Sequence, residues 1–230
     1  MADKPRDDDA WDDDAWGDDA WGDEAAAAKR AEISDIVRGE VRLARVDDAS
    51  LLQFVQEGPL EDAVPERAKP ELLAFARDRL TAERALLRNE ARDWPETTDC
   101  DRLDAAVDAL QADGIVLWPV SPCCDTCTMG EFPDYVAELI KEDRSLEETF
   151  RGYAFFIDQT MAERLSEGTE ISVHLGYGST RGEEGDAYPP AAVAIGHDVV
   201  AALEAAGLDV TWDGTLEKKI GLSLDWKRRG

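Results

Sequence analysis

Apolar residues recur at helical spacing through the chain between residues 25 and 92. The pattern predicts a helix over residues 25–46, interrupted or ended near Gly39, and a short helix from about Ser50 that ends at Gly58. Pro70 opens a third and longer helix, whose apolar face lies opposite a face of arginine and glutamate. This part of the chain is therefore predicted to be wholly helical.

Beyond Trp94 and Pro95 the pattern changes to short apolar runs separated by helical segments. Thr98 and Asp101 have the spacing of a capping box and begin a helix that ends near Gly114. Further predicted helices lie after residue 127, over residues 159–166 and over residues 193–206. The predicted strands are residues 115–120, 152–157 and 171–175, followed by a hairpin of alternating strands at 208–212 and 220–224.

Strands and helices thus alternate through the second half of the chain, and this order predicts the fold class. Five strands interleaved with helices favour an α+β fold, an α/β sandwich with one mixed sheet and a helical N-terminal part beside it. The polar run at residues 176–190 is predicted to be a long loop. The chain then divides into a tail at 1–24, the helical part at 25–94 and an α/β domain at 95–230.

The charge of the chain narrows the classes of partner. With 52 acidic and 25 basic residues, the formal net charge is −27. Such a field repels nucleic acid and anionic lipid, and it favours basic protein partners or divalent cations. We therefore expect a protein partner with basic character, and neither a nucleic acid nor a membrane. No pattern indicates the oligomeric state.

Much of this charge lies in the tail, where a repeated Asp-Asp-Ala-Trp unit places Trp11, Trp16 and Trp21 at a period of five. Dense like charge without aliphatic residues cannot offset the entropy of ordering, so residues 1–24 are predicted to be disordered. One interpretation is a solvated tail. The other is an acidic and aromatic segment that docks on a basic, grooved partner and folds there.

The cellular location follows from what the chain lacks. No apolar run approaches the ~20 residues that span a bilayer. The first residues contain neither a basic nor an apolar signal region. We expect a cytoplasmic protein, in which cysteines indicate metal binding, redox chemistry or packing rather than disulfides.

Three of the four cysteines form a cluster between the first predicted strand and the next helix. Cys124 and Cys127 have the spacing with which one turn of loop presents two thiolates to tetrahedral zinc, and Cys123 could add a third. A further zinc ligand would have to come from Cys100, His174, His197 or a carboxylate.

Two other interpretations of the cluster stay open. A Cys-x-x-Cys pair between a strand and a helix is also the layout of thiol-redox enzymes. Against it, Pro133 predicts a helix that begins several residues past Cys127, and Asp125 opposes ionisation of the thiols. Alternatively, the cysteines fill a tight turn as small apolar residues.

Several longer stretches of the chain form a specific set: TDCDRLDAAVDALQADGIV, CCDTC, GYAFFIDQ, ISVHLGYGS, VVAALEAAGLDV and WDGTLEKKIGLSLDW. Together they resemble an uncharacterised bacterial family, mainly actinobacterial, with a Cys-Cys-x-x-Cys motif. The resemblance covers the chain from about residue 33 to its end and leaves the acidic tail outside. It implies a shared fold and brings no activity with it.

These observations favour a non-enzymatic binding or regulatory module without a cofactor. The alternative is a zinc-binding or thiol-redox protein centred on the cysteine cluster. No nucleophile elbow or phosphate-binding loop supports another enzyme class.

Overall fold

A computed structural model describes residues 21–61, 64–122, 124–157, 159–181 and 185–229. The helices are α1 Asp23–Leu43, α2 Asp48–Glu57, α3 Lys69–Glu90, α4 Asp99–Ala112, α5 Asp125–Glu142, α6 Leu146–Thr149, α7 Met161–Glu167 and α8 Tyr188–Ala205. The strands are β1 Ile115–Ser121, β2 Gly152–Ile157, β3 Glu170–Ser179, β4 Asp209–Thr211 and β5 Ile220–Asp225. Within the described part of the chain, no helix is both long and apolar enough to cross a membrane.

The five strands form one mixed sheet in the order β1-β2-β3-β5-β4. β1 and β2 are parallel, and each of the other neighbouring pairs is antiparallel. Helices α5 and α6 make the connection from β1 to β2, as parallel neighbours require. The predicted α+β fold with a helical N-terminal part is confirmed.

Helices cover both faces of β1 and β2. Ile115 and Leu117 pack in a large core with residues of α4 and α8. Val116, between them, packs instead with Phe132 and Val136 of α5. Because successive strand residues point to opposite faces, α4 and α5 lie on opposite sides of the sheet. Burial on both faces explains why β1 is an almost continuous apolar run.

β3 is longer than its alternation predicted. Gly176 and Gly178 were expected to begin a loop, but β3 continues through them and pairs with β2. A side chain at Gly176 would meet the Phe155 ring, and one at Gly178 would meet the Tyr153 hydroxyl. The two glycines therefore make room for aromatic residues of the neighbouring strand. The helix expected from residue 193 also begins earlier, at Tyr188.

Helices α1, α2 and α3 share a separate core, and α1 joins it to the sheet. The predicted helix over residues 25–46 was expected to be interrupted or to end near Gly39. That part of the prediction is wrong, because α1 continues through Gly39 to Leu43. A Cβ atom at Gly39 would lie 1.9 Å from the carbonyl oxygen of Ala162 in α7. The glycine therefore lets α1 and α7 approach each other closely and does not break the helix.

The end of the chain fixes the same junction from the other side. Trp226, just after β5, is 2% exposed, and its indole nitrogen donates to the Arg42 carbonyl at 3.0 Å. Leu43 of α1 packs in the same core as Trp226. The last turn of α1 is thus held to the sheet by a buried aromatic ring and a hydrogen bond.

The C-terminal hairpin forms as predicted, with one difference. Leu222 is buried, but β4 stops at Thr211, so Trp212 lies beyond the strand. The Trp212 ring is half-buried, and its indole nitrogen donates to the carbonyl oxygens of Thr215 and Lys218.

The first 20 residues lie outside the described part of the chain, so the prediction of a disordered tail is not tested for them. Trp21 packs against the core of α1, α2 and α3. Because α1 begins at Asp23, the last two residues of the predicted tail belong to its first turn.

Candidate functional site

The cysteine cluster lies at the start of α5. The helix begins at Asp125, with Cys124 as its N-cap, and Pro133 lies inside it. The expectation that Pro133 delays the helix is therefore wrong. Phe132 and Val136, on either side of the proline, pack under the sheet, and this burial outweighs the loss of one helical hydrogen bond. Cys127 is in the first turn, where backbone N–H groups have no helical acceptor.

A strained turn directs the chain into this helix. Val120 has a φ of +55°, in a region that β-branched residues rarely adopt. The pairing of β1 with β2 shifts register between Trp118 and Ser121. The buried Ser121 hydroxyl then donates to the Phe156 carbonyl at 2.9 Å, and the Thr128 hydroxyl donates to Ser121 at 3.0 Å. These bonds fix the first turn of α5 to the ends of β1 and β2.

The predicted ligands are not all brought together. Cys124 is half-buried and Cys127 is exposed, while Cys123 lies outside the described residues. Cys100 is buried in the core on the α4 side of the sheet, opposite α5. Burial there raises the pKa of the Cys100 thiol from 9.0 to about 12, so it is a neutral thiol at physiological pH.

The two histidines do not lie with Cys100 in the buried core. His174 is exposed on β3, on the α5 side of the sheet, because its neighbours Val173 and Leu175 point into the opposite core. His197 is exposed on α8, with its ring edge-on to Trp212 at 5.0 Å. Among the described residues, no group of three or more histidine, cysteine, aspartate or glutamate side chains could hold a metal ion.

A concave surface lies beside the cysteine cluster, and we call it the acidic groove. Its volume is about 550 Å³. Its carboxylates come from two helices that pack against each other, α1 and α7. They are Glu32, Asp35, Glu40, Glu163 and Glu167.

The acidic groove also has an apolar part and a defined position in the fold. Ile36, Phe54 and Ala162 contribute apolar surface, and the Phe54 side chain is 53% exposed. Pro122 and Gln159, which also line the groove, follow the carboxyl ends of the parallel strands β1 and β2. Ligands of sheets with parallel strands commonly bind in a crevice at this end, and an exposed aromatic ring is the usual anchor of a binding surface.

Sequence reasoning did not identify this groove. Its carboxylates are drawn from α1 and α7, which are more than a hundred residues apart in the chain. One local signal was available, since Glu163 and Glu167 are four residues apart on one helical face. In a chain with 52 acidic residues, this spacing alone distinguishes nothing.

Comparison with known proteins bears on the family and not on the activity. No curated protein and no solved structure matches the chain. A family model described as "Domain of unknown function (DUF6891)" matches residues 26–230, which include every described helix and strand except the first residues of α1. The chain therefore belongs to this family of unknown function.

Proposed function

We propose that the protein is a binding module whose acidic groove takes a basic segment of a partner protein. The observation that carries the proposal is the combination of five carboxylates with an exposed phenylalanine in one concavity. Lysine and arginine suit such a surface, because they place a charged head among carboxylates while their apolar stems lie on Ile36 and Ala162. Phe54 can then cover an apolar side chain of the partner.

The described lining residues of the groove offer charges that a basic segment can pair with. Its titratable side chains are carboxylates and the guanidinium of Arg45. Ser166 donates its hydroxyl to the Glu163 carbonyl within its own helical turn, at 2.7 Å. The net charge of −27 adds long-range steering of a basic partner toward the protein, and this effect weakens as salt is added.

Charge reversal in the groove tests the proposal. A random peptide library is selected against the full chain, and we expect lysine, arginine and aromatic residues to be enriched in the selected peptides. The affinity of a selected peptide is then measured by titration calorimetry. Reversal of two exposed carboxylates, Glu163→Lys with Glu167→Lys, should weaken binding by about 100-fold, since each desolvated charge pair contributes roughly 1.5 kcal/mol or more.

The control reverses the same amount of charge elsewhere. Glu131 and Asp134 are exposed on α5, outside the groove, and Glu131→Lys with Asp134→Lys should leave the affinity within about threefold. Phe54→Ala should weaken binding without changing its salt dependence. Equal losses in both double variants would show that net charge alone binds the peptide, and the groove would then be discarded as the site.

A thiol-redox function is the second candidate, and the start of α5 favours it. The N-terminus of a helix stabilises a thiolate and lowers its pKa. Cys124 is the N-cap of an 18-residue helix, and Cys127 is three residues further on. The ion pair of Asp125 with Lys219, at 2.6 Å, partly offsets the negative charge beside the thiols.

Alkylation kinetics test this candidate. The rate of reaction with iodoacetamide is followed from pH 5 to pH 10, and mass spectrometry assigns each modified cysteine. A reactive redox thiol at Cys124 or Cys127 should titrate at least about one pH unit below the ordinary value of about 8.5. A midpoint at or above that value at both positions would remove the candidate. Cys100 should react only after unfolding.

A further inference from the structure

A second concave surface has the opposite charge, and we call it the arginine groove. It lies at the C-terminal end of α3 and has a volume of about 650 Å³. Four guanidinium groups line it, from Arg84, Arg88, Arg92 and Arg229. The net charge of the chain is −27, so a groove lined by four arginines is unusual in it. Because guanidinium groups pair with carboxylates and phosphates, such a groove suits an anionic ligand.

Two of these arginines, Arg84 and Arg229, are paired with carboxylates, and the other two, Arg88 and Arg92, are not paired within the described residues. Arg84 pairs with Asp48 at 2.8 Å, and Arg229 pairs with Asp101 at 3.0 Å. Arg88 and Arg92 are exposed, and no side-chain hydrogen bond or ion pair is made by either of them in the described part of the chain. Arg88 is in the last turn of α3 and Arg92 follows the end of the helix, and both line the same groove.

We infer that residues 1–20 of the same chain bind in the arginine groove. This segment contains nine aspartates against Lys4 and Arg6, with Trp11 and Trp16 between clusters of aspartate. Carboxylates form charge-assisted hydrogen bonds with guanidinium groups, and tryptophan is the best aromatic partner of a guanidinium. The segment thus carries both kinds of group that the arginines recognise.

The described residues already contain both elements of this recognition. The guanidinium of Arg229 lies over the Trp94 ring at 6.0 Å. Trp21, the third tryptophan of the repeat, packs against the core of α1, α2 and α3. A tryptophan of the repeated unit therefore already contacts the helical part that carries the arginine groove.

The distance is within reach of the segment. Arg38 with Glu83 and Arg42 with Glu90 pair in increasing order along both helices, so α1 and α3 run in the same direction. Trp21 precedes α1 and thus lies near the start of α3, roughly 30 Å from the groove at a rise of about 1.5 Å per residue. Twenty residues reach at most about 70 Å when extended. Their root-mean-square span as a flexible chain is about 25 Å.

Attachment to the same chain makes weak contacts sufficient. A tethered segment of this length meets its site at an effective concentration on the order of millimolar. Two or three carboxylate–guanidinium contacts then suffice to keep the groove occupied. An external anionic ligand of the groove would have to displace the segment, which would make residues 1–20 a built-in competitor. This inference does not depend on the acidic groove.

The test uses the full chain, labelled with ¹⁵N, and the indole N–H resonances of Trp11 and Trp16. Trp11→Phe and Trp16→Phe variants assign the two resonances, and a synthetic peptide of residues 1–20 gives their undocked positions. In the wild type they should differ from the peptide positions. In a variant with Arg88→Glu and Arg92→Glu they should coincide with them, as the docked population falls by at least about tenfold. Salt at 1 M should have the same effect, because it reduces the screening length to about 3 Å.

The control variant carries Arg144→Glu and Arg181→Glu, two exposed arginines outside the groove, and should resemble the wild type. Wild-type resonances at the peptide positions would overturn the inference. So would wild-type positions that persist in the Arg88 and Arg92 variant, since the segment would then bind elsewhere. A return to peptide positions on tenfold dilution would place the segment of a second copy in the groove, and this too would overturn it.

Discussion

Gly39→Val should lower the free energy of unfolding by about 3 kcal/mol or more, the upper end of what overpacking costs. An added Cβ atom would lie 1.9 Å from the Ala162 carbonyl oxygen and 2.5 Å from its carbon. Both are backbone atoms, so no rotamer change relieves the clash. The helix α1 would have to move away from α7, and with it Leu43 would leave the core that it shares with α4 and α8. Urea denaturation followed by circular dichroism measures the loss.

Alanine substitutions at two helical glycines should change the free energy of unfolding in opposite directions. In an open helix position, Gly→Ala stabilises by about 1 kcal/mol through helix propensity. Gly130 in α5 is such a position, with nothing within 4 Å of a built Cβ atom. Gly130→Ala should therefore stabilise the protein, whereas Gly39→Ala should destabilise it. Stabilisation by both would mean that α1 and α7 are not in contact at Gly39.

Trp226→Ala should cost about 3–5 kcal/mol, the usual loss when a fully buried large aromatic residue is truncated. The ring is 2% exposed, and its nitrogen satisfies the carbonyl of Arg42 at the end of α1. Trp226→Phe separates the two contributions, because it keeps most of the apolar area and removes the hydrogen bond. Its expected cost is about 1–3 kcal/mol, from the carbonyl left without a partner.

Denaturation midpoints of the two Trp226 variants measure these costs. A loss below about 1 kcal/mol for Trp226→Ala would contradict the described junction between α1 and the sheet. Equal losses for alanine and phenylalanine would assign the whole effect to the hydrogen bond and none to packing.

The fold was largely predictable because its signals are local. The alternation around Leu222 and the capping box at Thr98 depend only on neighbouring residues, and both indicated the correct elements. Gly39 and Gly176 misled because glycine usually ends or interrupts an element, and Pro133 misled because proline is usually found in the first turn of a helix. In each case a distant partner decides otherwise. Gly39 meets α7, the neighbours of Pro133 pack under the sheet, and Gly176 faces Phe155.

The candidate sites were less predictable because they depend on contacts between residues that are distant in sequence. A groove is a property of elements that meet in space, and the spacing rules that relate residues along one helix do not apply between α1 and α7, which are distant in sequence. The acidic groove became visible only when α1 and α7 were placed side by side, and the arginine groove only when Arg229, near the end of the chain, was placed beside the end of α3. The cysteine cluster was visible in the sequence, yet its separation from Cys100 by the sheet was not.

Amide hydrogen exchange of the full chain, with and without a selected basic peptide, tests the central proposal most directly. If the acidic groove binds the peptide, exchange should slow in α1 around residues 32–40, in α2 near Phe54 and in α7, the elements that line the groove. The cysteine-bearing first turn of α5 and the exposed face of β3 should be unchanged. Protection confined to α5, or spread evenly over the acidic surface, would show that the peptide does not bind in the acidic groove.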